Sequence, residues 1–142
     1  MSTQTFELKA ESNGLAPFRK KLQSLLESVH FNEKSVHEVL LSVDEVLTNI
    51  IRHAYGNQAA NKMQVTISLL EDRVEISIQD EGPCFDPRTI PAPELPREKP
   101  GGLGIYLVRS LMDEIEYEPL SPRGNRLRLV KYKMKKEKNQ KP

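Results

Sequence analysis

The stretch "FNEKSVHEVLLSVDEVLTNIIRHAYG", residues 31–56, decides how this chain folds. Its apolar side chains recur at spacings of three and four, the period of an α-helix with one buried face. Asn32 is a candidate N-cap, and Gly56 is a candidate stop signal. We therefore predict one long amphipathic helix that packs on a sheet. Its apolar stripe consists of Val36, Val39, Leu40, Val43, Val46, Leu47, Ile50, Ile51 and Ala54.

Two polar side chains, Glu45 and Asn49, lie one turn apart within this helix. Residues four apart share a helix face, and at ~100° per residue that face is roughly opposite the apolar stripe. Glu38, Leu41 and Arg52 lie on the same face. The pair fits two interpretations. It is either an ordinary solvated helix face, or a site where Asn49 binds a hard cation such as Mg²⁺ and Glu45 acts as a general base.

The flanking segments predict the architecture. Strands are expected where apolar residues alternate, and helices where they recur every three or four residues. Helices grouped against such a sheet form a two-layer α+β sandwich, here a mixed, mostly antiparallel sheet covered on one face by three helices. The predicted segments are the strand "TFELKA", the helix Leu15–Val29, the long helix, the hairpin "MQVTISLLEDRVEISIQDEG", the loop 83–100, the helix "GGLGIYLVRSLMDE", and the strands "IEYEP" and "NRLRLVKYKM".

The segment "DEGPCFDP" is a second candidate site. Asp80 ends a hydrophobic strand and is followed by Gly82 and Phe85. A carboxylate at the end of a strand can accept a hydrogen bond from an exocyclic amine, and Gly82 lets the backbone approach a flat ring. The same residues are also ordinary turn chemistry, so this segment alone does not decide between the two.

The segment "GGLGIYLV" is a third candidate site, with Gly101, Gly102 and Gly104 opening a helix directly after a proline-rich loop. A helix N-terminus exposes unpaired N–H groups, and glycines let phosphate oxygens reach them. The segment is neither a Walker nor a Rossmann pattern, and a plain loop-to-helix junction would look the same. The three segments in this order are more specific than any one alone.

Composition limits the class of protein. A chain of 142 residues is the size of one domain, and no apolar run approaches the ~20 residues that span a bilayer. The N-terminus lacks a signal-peptide pattern, and the single cysteine, Cys84, excludes an internal disulfide. We expect a cytoplasmic protein with one domain over residues 1–134. Residues 135–142 are expected to be a basic, disordered tail, either solvated or in contact with nucleic acid or an acidic partner.

Taken together, the three segments resemble the GHKL ATPases, the superfamily of gyrase, MutL and the histidine-kinase catalytic domains. "EVLTN" looks like the N box, "DEGPCF" the first glycine box and "GGLG" the second. "HAYG", "FDP" and "GGLGIYLVRSLMDE" resemble more narrowly the anti-sigma factor serine kinases, the partner-switching kinases of bacterial stress and sporulation regulation. The resemblance spans about Phe6 to Tyr132.

The resemblance implies a role for each site residue. Asn49 would be the metal ligand for the Mg²⁺ that bridges the ATP phosphates, Glu45 the catalytic base, and Asp80 the acceptor for the adenine amino group. The loop 83–100 would be the ATP lid. The remaining cofactor-binding residues would be Gly82 and Phe85 beside the adenine, and Gly101, Gly102, Leu103 and Gly104 around the phosphates.

Relatives commonly place a threonine in the last strand near the adenine-binding aspartate. Our strand register puts Arg126 at that position, which makes the usual water-bridged adenine contact an open question.

The resemblance also implies a function. The chain is expected to be an ATP-dependent serine protein kinase and anti-sigma factor that phosphorylates an anti-sigma factor antagonist. A sigma factor is a second candidate partner, a homodimer is compatible, and no nucleic acid or membrane contact is expected. The alternative is a non-catalytic module that binds ATP or ADP and switches partners through the order of its lid. Retention of Glu45 favours the kinase.

Overall fold

The computed structural model describes residues 1–54, 61–84, 86, 88 and 103–134. They form three α-helices and a five-stranded sheet in the order β1-β2-β3-β5-β4, which confirms the predicted α+β sandwich. All four pairs of neighbouring strands are antiparallel. The elements are β1 (Ser2–Lys9), α1 (Leu15–Ser28), α2 (Glu33–Asn49), β2 (Lys62–Leu69), β3 (Arg73–Asp80), α3 (Leu103–Leu111), β4 (Glu114–Pro119) and β5 (Asn125–Tyr132).

One face of the sheet is buried under the helices. The strands alternate between buried and more accessible side chains, as expected for a sheet with one covered face. Burial of these apolar groups is the main favourable contribution to folding. The buried residues of β2, β3 and β5 in this core are Met63, Val65, Ile67, Leu69, Val74, Ile76, Ile78, Leu127 and Leu129, and those of α1 and α2 include Phe18, Leu22, Leu26, Val36, Val39, Val43, Val46 and Leu47.

The other face of the sheet carries ion pairs between strands. Arg128 on β5 binds Glu75 on β3 at 3.0 Å and Glu116 on β4 at 2.7 Å. Arg73 reaches the same Glu75 carboxylate at 2.7 Å. Because these groups remain accessible to water, such pairs contribute little each to stability. None of the helices in the described part of the chain has the length and apolar character needed to cross a bilayer.

Helix α2 lies between α1 and α3 and contacts both. The predicted N-cap is confirmed, since Asn32 Oδ1 accepts a hydrogen bond from the Ser35 backbone N–H at 2.7 Å. The long helix does not continue regularly to its predicted end. The α-helix ends at Asn49, and residues Ile50–Ala54 form a π-helical turn. Turns of this kind often occur next to functional residues.

The end of α1 has a left-handed residue. His30 has a φ of 69°, its N–H bonds the Glu27 carbonyl, and the Phe31 N–H bonds the Leu26 carbonyl. This is the Schellman arrangement, in which glycine is the preferred residue at the left-handed position. A side chain at this backbone angle is strained, so His30 is a position where the sequence is not optimal for stability.

Replacing His30 with glycine is expected to raise the free energy of unfolding by roughly 0.5–1 kcal/mol. The imidazole is exposed, and glycine adopts the left-handed backbone angle without strain. Urea unfolding followed by circular dichroism measures the change. His30→Ala is the matched control, since it also removes the imidazole but keeps the Cβ and gains nothing from the left-handed angle. Equal stabilisation by both substitutions would contradict the strain.

Candidate functional site

Lys131, near the end of β5, fixes where α2 and α3 lie on the sheet. Its Nζ pairs with Glu38 Oε1 at 2.9 Å and donates to the carbonyl of Leu111, the last residue of α3. From this point α2 rises ~17 Å to Asn49, while β5 runs back ~20 Å to Asn125. β1 ends at the same end of the sheet as Asn125, and Arg19 in the following helix α1 binds Asp44, so α2 rises toward that end too. α3 packs along α2 and finishes beside Lys131 and Glu38, near the start of α2, so its N-terminus lies toward the end of α2 that carries Asn49.

Glu38 differs from its predicted environment. The helical projection placed it with Glu45 on a face turned away from the sheet. Its side chain is only 20% exposed and is bound by Lys131, which extends from the sheet. The projection did not predict this contact, because it shows the faces of one helix and not the long side chains that reach it from another element.

Asp80 is the last residue of β3 and the strand partner of Asn125. Its side chain is buried, with 4% of the residue exposed. Oδ1 accepts hydrogen bonds from the Gly82 backbone N–H at 2.7 Å and from Asn125 Nδ2 at 3.0 Å. Within the described residues no group donates to Oδ2. One carboxylate oxygen is thus held in place and the other is left as an acceptor.

Burial raises the pKa of the Asp80 carboxyl above its usual range, because a charged group loses hydration inside the protein. The hydrogen bonds from Asn125 and Gly82 favour the carboxylate and act in the opposite direction, while the charge of Glu81 raises the pKa further. A carboxylate placed at a buried position without a positive partner is typical of a functional site.

Asn125 is the residue that the sequence-based register missed. Arg126 was predicted to lie near Asp80, but its strand partner is Gln79, and its guanidinium bonds Gln79 and Glu118 on the opposite face of the sheet. The prediction was wrong by one residue, which turns a side chain to the other face. The apolar alternation of Leu127 and Leu129 carried the correct signal, because it puts position 125 on their face.

The segment after Asp80 is held by the turn between β4 and β5. Arg123 Nε donates to the Glu81 carbonyl at 2.8 Å, and Cys84 Sγ lies 3.3 Å from the Gly124 carbonyl oxygen. Gly124 has a φ of 122°, and a Cβ built there would lie 2.7 Å from the Asp80 carbonyl oxygen. Only glycine fits this close approach. The turn therefore fixes the backbone on both sides of the Asp80 carboxylate.

Glu45 and Asn49 lie on the part of α2 that leads to the same end of the sandwich. Both are half-buried, and no described residue bonds either side chain. The adjacent carboxylate, Asp44, is instead bound by Arg19 of α1. Glu45 and Asn49 are thus partly removed from water, yet no described residue forms a hydrogen bond with either side chain. This is more typical of a ligand site than of a solvated helix face.

The third candidate segment is described only in part. Leu103 begins α3, and Gly104 follows in its first turn, as the sequence predicted. Gly101, Gly102 and Phe85 lie outside the described residues, as does most of the predicted lid. A helix N-terminus attracts anions through its free N–H groups and its dipole.

The residues present fit a nucleotide and a hard cation. Asp80 Oδ2 offers an acceptor for an amino group, the N-terminus of α3 favours phosphate, and the Asn49 carboxamide oxygen is a ligand type that Mg²⁺ accepts. The Glu45 carboxylate stands one turn before Asn49 and can act as a base.

The chain is similar in sequence to known proteins. Residues 8–131 match the family described as the histidine kinase-like ATPase domain. A serine-protein kinase RsbW of Oceanobacillus iheyensis is 32% identical over 116 residues, covering 76% of this chain and 72% of that protein. The serine-protein kinase RsbW of Bacillus subtilis is 27% identical over 135 residues, covering 89% of this chain and 82% of that protein.

A solved structure shares the fold. The crystal structure of the RsbU and RsbW domains of Rv1364c from Mycobacterium tuberculosis aligns with a TM-score of 0.66 and 16% sequence identity. The alignment covers 92% of this chain and 32% of that one, so this chain spans about a third of the larger protein.

Proposed function

This chain belongs to the histidine kinase-like ATPase family and resembles its anti-sigma factor serine kinases, and from that premise we propose that it is an ATP-dependent serine protein kinase. Its substrate would be a small anti-sigma factor antagonist. The observation that carries the proposal is the Asp80 carboxylate. It is buried, and no described residue donates to its Oδ2, at the end of the sandwich where α3 begins.

Asp80 would recognise the nucleobase. Its Oδ2 accepts from the amino group of adenine, while Gly82, which is buried and bonded to Oδ1, keeps the backbone close to the ring. Phe85 would cover the same ring. The backbone N–H groups around Gly101, Gly102, Leu103 and Gly104 would bind the phosphates.

Glu45 would be the general base. It takes the proton from the serine hydroxyl of the substrate protein as the hydroxyl oxygen bonds the terminal phosphorus, and ADP leaves with the electron pair of the broken bond. Asn49 would hold Mg²⁺, which neutralises phosphate charge when bound. Phosphoryl transfer depends mostly on positioning and charge neutralisation, and these residues contribute to both.

The partners of this kinase follow from the resemblance. The antagonist protein would be the phosphate acceptor, and a sigma factor would be a second partner that the kinase sequesters. Both interactions would take place in the cytoplasm, without nucleic acid or membrane contact, and a homodimer is compatible with them.

ATP binding is tested by unfolding measurements. With Mg²⁺ and ATP at ~100 times the dissociation constant, the free energy of unfolding is expected to rise by about 2.7 kcal/mol. Transfer is then measured with labelled ATP and a purified antagonist protein, with the phosphorylated serine mapped by mass spectrometry. No stabilisation by ATP would contradict the nucleotide site. Stabilisation without transfer to any antagonist would instead identify a non-catalytic, partner-switching module.

A further inference from the structure

A chain of hydrogen bonds joins the ends of three strands beside Asp80. The Tyr117 hydroxyl on β4 donates to Asn125 Oδ1 on β5 at 2.6 Å. Asn125 Nδ2 donates to Asp80 Oδ1 at 3.0 Å and to the Pro83 carbonyl at 2.9 Å. Asn125 is 8% exposed and Asp80 is 4% exposed, so the hydrogen bond between them is buried, while Tyr117 is half-buried.

The chemistry of the neighbours fixes the direction of the Asn125 amide. The Asp80 carboxylate and the Pro83 carbonyl only accept hydrogen bonds, so the NH₂ group must face them. The amide oxygen then faces Tyr117, which supplies the matching donor. A flipped amide would place an oxygen against two other acceptors. Tyr117 thus helps to keep Asn125 as a donor toward Asp80.

We propose that Asn125, oriented by Tyr117, is a positioning residue that makes the site selective for 6-aminopurine nucleotides over 6-oxopurine nucleotides. The inference rests on the proposed ATP site. Asn125 and the Gly82 N–H both bond Oδ1 of Asp80, which directs any proton and any ligand to Oδ2. As a bare acceptor, Oδ2 pairs with the amino group of adenine and opposes the 6-oxo group of hypoxanthine.

Protonation of Asp80 would reverse this preference. A proton on Oδ2 makes it a donor, which favours the 6-oxo group. Asn125 opposes this by stabilising the carboxylate, whereas burial and the charge of Glu81 raise the pKa of Asp80. Two other titratable groups lie near this carboxylate. The Tyr117 hydroxyl bonds Asn125, and the Arg123 guanidinium bonds the Glu81 carbonyl. Removal of the Asn125 donor should therefore move the loss of selectivity to higher pH.

The test compares ATP with inosine triphosphate, which carries a 6-oxo group in place of the amino group. Calorimetric titrations of wild type, Asn125→Leu, Asn125→Thr and Tyr117→Phe are run with Mg²⁺ from mildly acidic to neutral pH. The ratio of the two dissociation constants cancels the phosphate titration that both nucleotides share. Arg126→Gln is the matched control, because the neighbouring side chain lies on the other face of the sheet.

In the wild type, ATP should bind more tightly, and its advantage should shrink as pH falls. Asn125→Leu should reduce the ATP advantage at neutral pH by about tenfold or more and shift the loss of that advantage to higher pH. Tyr117→Phe should show smaller changes in the same directions. Asn125→Thr keeps a hydrogen-bond donor and should retain the selectivity for ATP. Arg126→Gln should match the wild type.

The outcomes separate this inference from the proposed function. If the wild type binds neither nucleotide, the ATP site itself is wrong. If it binds ATP while folded Asn125→Leu keeps the wild-type ratio at every pH, the role of Asn125 is wrong. If Asn125→Leu does not fold, as shown by the loss of its cooperative urea transition, Tyr117→Phe becomes the test. The inference is then wrong if Tyr117→Phe has the same ratio of dissociation constants as the wild type at every pH.

Discussion

Replacing Glu45 with glutamine is expected to slow phosphoryl transfer to the antagonist protein by about 10²–10⁴-fold while leaving ATP affinity unchanged. Glu45 is half-buried on α2 one turn before Asn49, and no described residue neutralises its charge. Glutamine keeps the shape and the hydrogen-bonding oxygen but cannot accept the serine proton. The loss should therefore appear in the rate of the chemical step, measured under single-turnover conditions with saturating ATP.

Asp44→Asn provides a matched control for Glu45→Gln. Asp44 is the neighbouring carboxylate on the same helix, is also half-buried, and is bound by Arg19 of α1. Its neutralisation removes one partly exposed ion pair, worth about 0–1 kcal/mol of stability, and should leave the transfer rate unchanged. If Glu45→Gln transfers phosphate as fast as Asp44→Asn, Glu45 is not the base.

Replacing Asp80 with asparagine is expected to weaken ATP binding on the order of 100-fold. The Gly82 N–H and Asn125 Nδ2 both donate to Oδ1, so an asparagine at this position keeps its oxygen there. Its NH₂ group then occupies the place of Oδ2 and meets the amino group of adenine, donor against donor. The same NH₂ group matches a 6-oxopurine, so inosine triphosphate should bind this variant better than ATP does.

Asp80→Asn should be at least as stable as the wild type at neutral pH, although it binds ATP more weakly. The pKa of Asp80 is raised in the folded state, chiefly by burial. A raised pKa contributes stability that is present below the unfolded pKa and is lost as pH rises through the folded one. The wild type is therefore destabilised by this carboxylate at neutral pH, and the asparagine variant should be at least as stable there.

Calorimetry with ATP and inosine triphosphate, together with urea unfolding across the acid range, measures both effects of Asp80→Asn. The wild-type free energy of unfolding should fall more steeply than that of the variant as pH rises through the Asp80 pKa. A variant that unfolds more easily at neutral pH would show that the lost ATP affinity reflects damage to the fold. An unchanged ATP affinity would exclude Asp80 from the nucleobase site.

Much of the fold was predictable because it depends on short-range patterns. The apolar alternation of β2 and β3 and the helical spacing of α2 each follow from local geometry, and the Asn32 cap is a contact within one turn. The π-helical turn after Asn49 was not predictable, since its residues have ordinary helical spacing. The candidate site residues Glu45, Asn49, Asp80 and Gly82 were predicted from their segments, but the Asn125 partner of Asp80 was not.

The sequence by itself determined the α+β sandwich, its helices and strands, and the segments that carry the polar residues, because these depend on periodicity and on neighbours along the chain. Only the tertiary structure decided that Asn125 rather than Arg126 lies beside Asp80, that Glu38 is bound by Lys131, and that Tyr117 orients the Asn125 amide. For Asn125 and Tyr117 the physical reason is strand register. A shift of one residue exchanges the two faces of a strand, and register is fixed by contacts between residues far apart in the chain. Only the tertiary structure shows that Glu45 and Asn49 are half-buried and that no described residue bonds them, which favours a ligand site over a solvated helix face.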